Sequence, residues 1–140
     1  GIYQLSADQF QLRRRDILRM ADLEGRENEL ARNLSTGWRQ RLALGAAAIH
    51  NPELIFLDEP TSGVDPVARR QFWSLLYRLA SKGVTLFVTT HYLDEASHCN
   101  RLAFINSGRI VAAGSPAELR AEHQGKTLDE IFVNLVDAQQ

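Results

Sequence analysis

Asp58 and Glu59 are the side chains best placed to do chemistry. They close an apolar run, LIFLDE, that reads as a buried strand delivering two carboxylates to a sheet edge. In open α/β sheets, ligands bind beyond the carboxyl ends of the strands. Two neighbouring acids there can divide a task. One holds Mg²⁺, directly or through its water, and the other polarises an attacking water. Asp-Glu after a strand is a weak signal by itself, because it also describes a strand ending in two solvated acids. The longer pattern is more specific: four apolar residues, then Asp-Glu-Pro-Thr-Ser-Gly, then Asp65-Pro66 opening a helix.

Two further groups qualify. Residues 34 to 38, LSTGW, sit at the start of an Ala- and Leu-rich helix. Free N–H groups and the helix dipole attract an anion there, the Ser35 hydroxyl adds a donor, and Gly37 allows close backbone approach. The bland alternative is an ordinary Ser N-cap. His91 follows Thr89-Thr90 at the end of a second apolar run and so lies at another strand's carboxyl end. His50, His98 and His123 lack such a context, and Cys99 beside His98 is not metal-ligand spacing. The only Gly-Lys-Thr, residues 125 to 127, is not a phosphate loop: Arg120 stands where the first glycine of G-x-x-x-x-G-K-[ST] belongs, and residues 116 to 123 read as helix. Gly125 is expected to stop that helix and Thr127 to cap the next.

The elements that must position these residues alternate between helix and strand. Residues 6 to 22 read as a helix with a Ser6/Gln9 capping box and a partial apolar stripe of Phe10, Ile17, Leu18 and Ala21. Its Arg13-Arg14-Arg15 run is a solvated face rather than a nucleic-acid site, since no aromatic platform accompanies it. Ser35 starts a helix to about His50, ended by Asn51-Pro52. Residues 53 to 58 form a strand apolar on both faces, as in a parallel sheet covered on both sides. Asp65-Pro66 opens a helix carrying Phe72, Leu75, Leu76 and Leu79, closed by Gly83. Residues 84 to 89 are a second buried strand, and a short helix follows His91. Residues 102 to 106 and 109 to 113 flank Ser107-Gly108 as a hairpin. Ser115 and Thr127 each open a helix with a capping box. The fold class is α/β with a mainly parallel sheet and flanking helices.

Composition narrows the rest. With 140 residues the chain is one domain or part of one. A net charge of −1 steers it to neither nucleic acid nor an acidic membrane. One cysteine excludes an internal disulfide and fits a reducing compartment. No apolar run approaches the roughly 20 residues that span a bilayer. The start, GIYQLSADQF, lacks the basic leader and apolar core of a signal peptide. The only methionine is Met20, so the chain is expected to begin inside a longer polypeptide.

Taken together, the motifs resemble one family. Over essentially all 140 residues the chain is similar to the C-terminal part of the nucleotide-binding domain of ATP-binding cassette (ABC) transporter ATPases, with a P-loop NTPase-like fold and part of the ABC helical subdomain. The resemblance implies that LSTGW is the signature motif, LIFLDEP the Walker B segment, SGVDP the D-loop and His91 the switch histidine. It divides the chain into residues 1 to 50 (helical subdomain and signature helix) and 51 to 140 (Walker B, D-loop, H-loop and C-terminal part). It implies ATP and Mg²⁺ as cofactors, Asp58 as the residue supporting Mg²⁺, and Glu59 as general base. His91 then contacts the γ-phosphate, and Ser35 and Gly37 touch the γ-phosphate of a nucleotide held by the opposite subunit. Asp65 belongs to the dimer interface. The implied partners are a second nucleotide-binding domain and a transmembrane permease, with no nucleic acid, at the cytoplasmic side of the cell membrane. THYLDEA, GRIVAAGSPAEL and LDEIFVNLV resemble the family's C-terminal half, the last its exporter branch.

The sequence departs from the family at Thr36, usually Gly, where a Cβ restricts the backbone and crowds a phosphate. Trp38 stands where Gln or another polar or flexible residue is frequent. The Walker A loop, the adenine-stacking aromatic and the Q-loop glutamine have no counterpart in the 140 residues, so the chain alone is expected to bind ATP poorly. The missing Walker A strand would lie between strands 84 to 89 and 102 to 106, leaving unpaired edges prone to self-association. Two rival readings remain: a regulatory or interaction module of the same fold without ATPase activity, and a soluble ABC ATPase acting on DNA or ribosomes.

Overall fold

The computed structural model describes residues 6 to 138, in two compact units that divide between Thr89 and Thr90. The first unit holds α1 (Ala7–Met20), a 3₁₀ turn (Ala31–Asn33), α2 (Thr36–Ala48), β1 (Leu54–Asp58), α3 (Pro66–Ala80) and β2 (Thr85–Thr89). The second holds α4 (Leu93–Ala96), β3 (Leu102–Asn106), β4 (Arg109–Gly114), α5 (Pro116–Glu122) and α6 (Leu128–Asp137).

In the first unit, β1, α3 and β2 form a parallel β-α-β crossover. The strands run in register from Leu54 opposite Thr85 to Asp58 opposite Thr89. Asp65 starts α3 because its carboxylate accepts from the N–H groups of Val67 and Ala68, both at 3.0 Å, while Pro66 fills the first turn. Phe72, Trp73, Leu75, Leu76 and Leu79 of α3 are buried, as are Leu44 and Ala48 of α2. Two glycines let helices meet closely. A Cβ on Gly45 would come within 2.7 Å of Ile17 Cγ2, so α1 rests directly on α2. The expected arginine run on α1 is largely solvated, with Arg14 and Arg15 exposed and Arg13 half-buried.

The expectation that both strands are buried on both faces does not hold. Ile55 of β1 is buried, but Leu54 and Phe56 beside it alternate outward, and Phe56 is 71% exposed. On β2, Phe87 is 57% exposed and sits against Phe56 with ring centroids 5.5 Å apart. One face of this ribbon is therefore uncovered, although its sequence reads like a doubly covered strand. Among the described residues β2 pairs with β1 alone, which leaves its other edge without a strand.

The second unit is built on the β3–β4 hairpin, turned at Ser107 and Gly108 with φ of 48° and 75°. Positive φ at both central residues is what a tight hairpin turn of matching twist requires. Its core joins Ala96, Phe104, Leu119, Leu128 and Ile131. Both expected capping boxes form: Ser115 with Glu118, and Thr127 with Glu130. In each, the backbone N–H of the cap residue donates to the glutamate, which holds that carboxyl below its ordinary pKa. Gly125 has φ 77° and its N–H donates to the Arg120 carbonyl at 2.7 Å, so Gly-Lys-Thr is a helix stop followed by a cap.

Candidate functional site

Strand β1 ends at Asp58, and the next residue, Glu59, leaves the extended conformation with φ 43°. A side-chain-bearing residue rarely adopts the left-handed region. Asn and Asp tolerate it best, and Glu does not share their local hydrogen bonding. The conformation is fixed from both sides. The Glu59 N–H donates to the Thr89 carbonyl at 3.0 Å and to Thr89 Oγ1 at 3.1 Å, and the Glu59 carbonyl accepts from the Ser62 N–H at 3.1 Å. Thr89 Oγ1 in turn donates to Asp58 Oδ1. One threonine hydroxyl at the end of β2 thus ties down both candidate acids at the end of β1. Buried Thr61 anchors the turn that follows. Both acids are exposed, so they can meet a soluble ligand.

Ser35 occupies the N-cap position of α2 with extended backbone, yet its side chain makes no capping bond to the helix. The ordinary Ser N-cap is therefore only half realised. Arg39 folds back over this terminus, donating to the Leu34 carbonyl at 3.0 Å and to Thr36 Oγ1 at 3.1 Å. Thr36, a departure from the family pattern, thus has a local partner of its own. No acid lies in the first turn of α2. Trp38 has two guanidinium groups over its ring, Arg26 at 4.3 Å and Arg41 at 4.7 Å, and buried Arg41 also pairs with Asp22 at 3.5 Å and with Gln71.

Gly37 acts in packing. A Cβ there would stand 2.9 Å from Ala68 Cβ and 3.6 Å from Val64 Cγ1. The first turn of α2 therefore presses on the first turn of α3, the helix that Asp65 caps. This contact sets Gly37 beside the start of the helix that Asp65 caps.

His91 belongs to the second unit. It is exposed, and its ring lies against Tyr92 with centroids 4.2 Å apart. In the same loop, Thr90 Oγ1 donates to Glu95 at 2.8 Å and accepts from the Tyr92 N–H at 3.0 Å. Cys99 has its thiol pKa raised, first by burial and then by the charge of Glu95, so it is no ready nucleophile. Sequence reasoning passed over Thr89, Thr90 and Glu95. Two threonines ending an apolar strand are common, and an acid in a short helix reads as solvated. Among the described residues no group of three or more His, Cys, Asp and Glu forms a metal cage. Mg²⁺ needs no such cage when one or two carboxylates, waters and substrate phosphates complete its shell.

A family model described as "AAA domain, putative AbiEii toxin, Type IV TA system" matches residues 4–93. Among curated relatives, "Probable multidrug ABC transporter ATP-binding protein YbhF" of Escherichia coli is 44% identical over 108 residues, covering 74% of this chain and 19% of its own length. "Nod factor export ATP-binding protein I" of Cupriavidus metallidurans is 40% identical over 131 residues, 93% of this chain and 43% of its own. A solved ATP-binding subunit of an ABC transporter superposes with a TM-score of 0.80 at 29% identity, over 96% of this chain and 57% of that one. The chain belongs to the ABC ATPases. A bacterial ABC transporter cassette solved as a dimer superposes with a TM-score of 0.68 at 29% identity, over 79% of this chain and 49% of that one. The fold is accordingly that of P-loop ATPase cassettes, here mixed α/β with a small parallel sheet. The chain spans less than half the length of these curated relatives. No helix among the described residues is long and apolar enough to cross a membrane.

Proposed function

We propose that this chain is the C-terminal part of an ATP-hydrolysing cassette that energises an ABC transporter. Residues 1 to 50 would supply the helical subdomain and signature helix, and residues 51 to 140 the Walker B, D-loop, H-loop and C-terminal parts. The observation that carries the reading is Glu59, an exposed carboxylate held at φ 43° immediately after an aspartate at a strand's carboxyl end. Strain of this kind persists only where surrounding structure over-determines it, and it collects at functional sites.

In this reading Glu59 accepts the proton of the water that attacks the γ-phosphate. Asp58, oriented by the Thr89 hydroxyl, is a hard oxygen donor suited to Mg²⁺, which when bound would neutralise phosphate charge. The family resemblance assigns His91 a contact with the γ-phosphate. The α2 terminus, with the unspent Ser35 hydroxyl, an acid-free first turn and Gly37, receives the γ-phosphate of ATP held by a second cassette. Asp65 lies at the interface with that second cassette. A transmembrane permease is the other partner, and the assembly works at the cytoplasmic side of the membrane, without nucleic acid. The names of the relatives, a Nod factor exporter and a multidrug transporter protein, favour export. The test is Mg²⁺-dependent ATP turnover by the longer polypeptide that carries these residues. Turnover supports the reading. An ATP-binding polypeptide without turnover would favour the non-catalytic module.

A further inference from the structure

We propose that Glu95 is a positioning residue that fixes the loop carrying His91. Glu95 is 1% exposed, an unusual place for a carboxylate. Removing a carboxylate from water costs several kcal/mol unless strong hydrogen bonds replace the lost hydration. Part of that replacement is local. The Tyr92 N–H can only donate, so it uses a lone pair of Thr90 Oγ1 at 3.0 Å. The Thr90 hydroxyl proton is then free to point at Glu95 Oε2, 2.8 Å away. The Glu95 N–H donates back to the Tyr92 carbonyl at 3.0 Å. These three bonds close a circuit through residues 90, 92 and 95, and His91 is the residue between two of the anchored positions. The circuit places Tyr92 and hence its ring, against which the His91 imidazole rests at 4.2 Å. The bond from the Thr90 hydroxyl to this buried side chain holds the loop, and with it the Tyr92 ring on which the imidazole rests.

The proposal rests on the reading of His91 in turnover for its functional consequence, but its structural core does not, and the experiment separates the two. In the first arm, the longer polypeptide that carries these residues is labelled with ¹⁵N and ¹³C on its histidines and with ¹³C on its Leu and Ile methyl groups, and the His91 ring shifts and relaxation are measured, with the signal assigned by its loss in His91→Ala. Glu95→Leu and Thr90→Val are expected to abolish the ring-current shift from Tyr92 and mobilise the imidazole. Glu95→Gln and Thr90→Ser, which keep an acceptor and a hydroxyl, are expected to preserve both. Methyl signals of Leu119 and Ile131 show that the unit's core is intact. An unchanged His91 ring in Thr90→Val and Glu95→Leu overturns the proposal. In the second arm, ATP turnover is measured in the longer polypeptide. Glu95→Leu is expected to lower kcat about ten- to a hundredfold with little change in KM, as for a displaced reacting group. The further addition of His91→Ala is expected to have no additional effect. Additive losses overturn the positioning role. A His91→Ala variant of normal turnover, with the first arm as expected, refutes the role of His91 in turnover and leaves the positioning proposal standing.

Discussion

Replacing Glu59 by glycine and by alanine should invert the usual order of stability. Both variants lose the carboxylate, so their difference isolates the backbone. At φ 43°, a residue with a Cβ pays roughly 1–2 kcal/mol that glycine does not. Glycine loses more chain entropy on folding, about 0.5–1 kcal/mol relative to alanine. The balance favours Glu59→Gly over Glu59→Ala by about 0.5–1 kcal/mol when the two ranges are taken at matching ends, and by up to about 1.5 kcal/mol, whereas alanine wins at an ordinary position. Tryptophan fluorescence during urea unfolding reads this cleanly, because Trp38 and Trp73 both lie in the unit that contains Glu59. With a slope near 1.5 kcal/mol per molar urea, the glycine midpoint should stand roughly 0.3–0.7 M above the alanine midpoint. An alanine variant as stable as the glycine variant would refute the claim that Glu59 is held under strain. The natural protein would then be keeping a glutamate at no local cost, and the strongest structural argument for its function would disappear.

Gly37→Ala should destabilise the same unit by about 1–3 kcal/mol, because the new Cβ meets Ala68 Cβ at 2.9 Å in a contact between two helix starts. Adding Ala68→Gly should recover part of the loss in the same urea assay, and a neutral Gly37→Ala would show that α2 is not packed this closely. The capping glutamates Glu118 and Glu130 have pKa values lowered by the bonds they accept. A lowered folded-state pKa means stability that is present above the ordinary carboxylate value of 4.5 and is lost as pH falls through the lowered values. Circular dichroism melts between neutral pH and pH 3 should therefore fall less steeply in a Glu118→Gln/Glu130→Gln double variant, and identical slopes would contradict the assignment.

Much of the scaffold was legible because it rests on local rules. Ser6, Asp65, Ser115 and Thr127 cap the helices their spacing implied, and Ser107-Gly108 turns the hairpin. The end of β1 at Asp58 followed from an apolar run meeting an acid. Less could be read where the outcome depends on distant contacts. An apolar strand does not say which face will be covered, and Phe56 and Phe87 came out exposed. Nothing in LDEA distinguishes a buried acid from a solvated one, and Glu95 is 1% exposed. Gly37 was read as allowing close backbone approach to a ligand, and its close packing on Ala68 depends on a contact about thirty residues away that the local sequence does not announce. The left-handed turn at Glu59 has no glycine or asparagine to announce it; Thr89, thirty residues on, imposes it.

The role of Glu59 as general base is tested most directly by single-turnover hydrolysis of Mg-ATP in the longer polypeptide, comparing natural protein with Glu59→Gln. Glutamine keeps the size and the backbone strain but cannot take a proton. The account predicts retained ATP binding, hydrolysis slowed by a factor on the order of 10² or more, and accumulation of an ATP-bound dimer. Hydrolysis at a near-normal rate by the glutamine variant would contradict it and remove Glu59 from the chemistry.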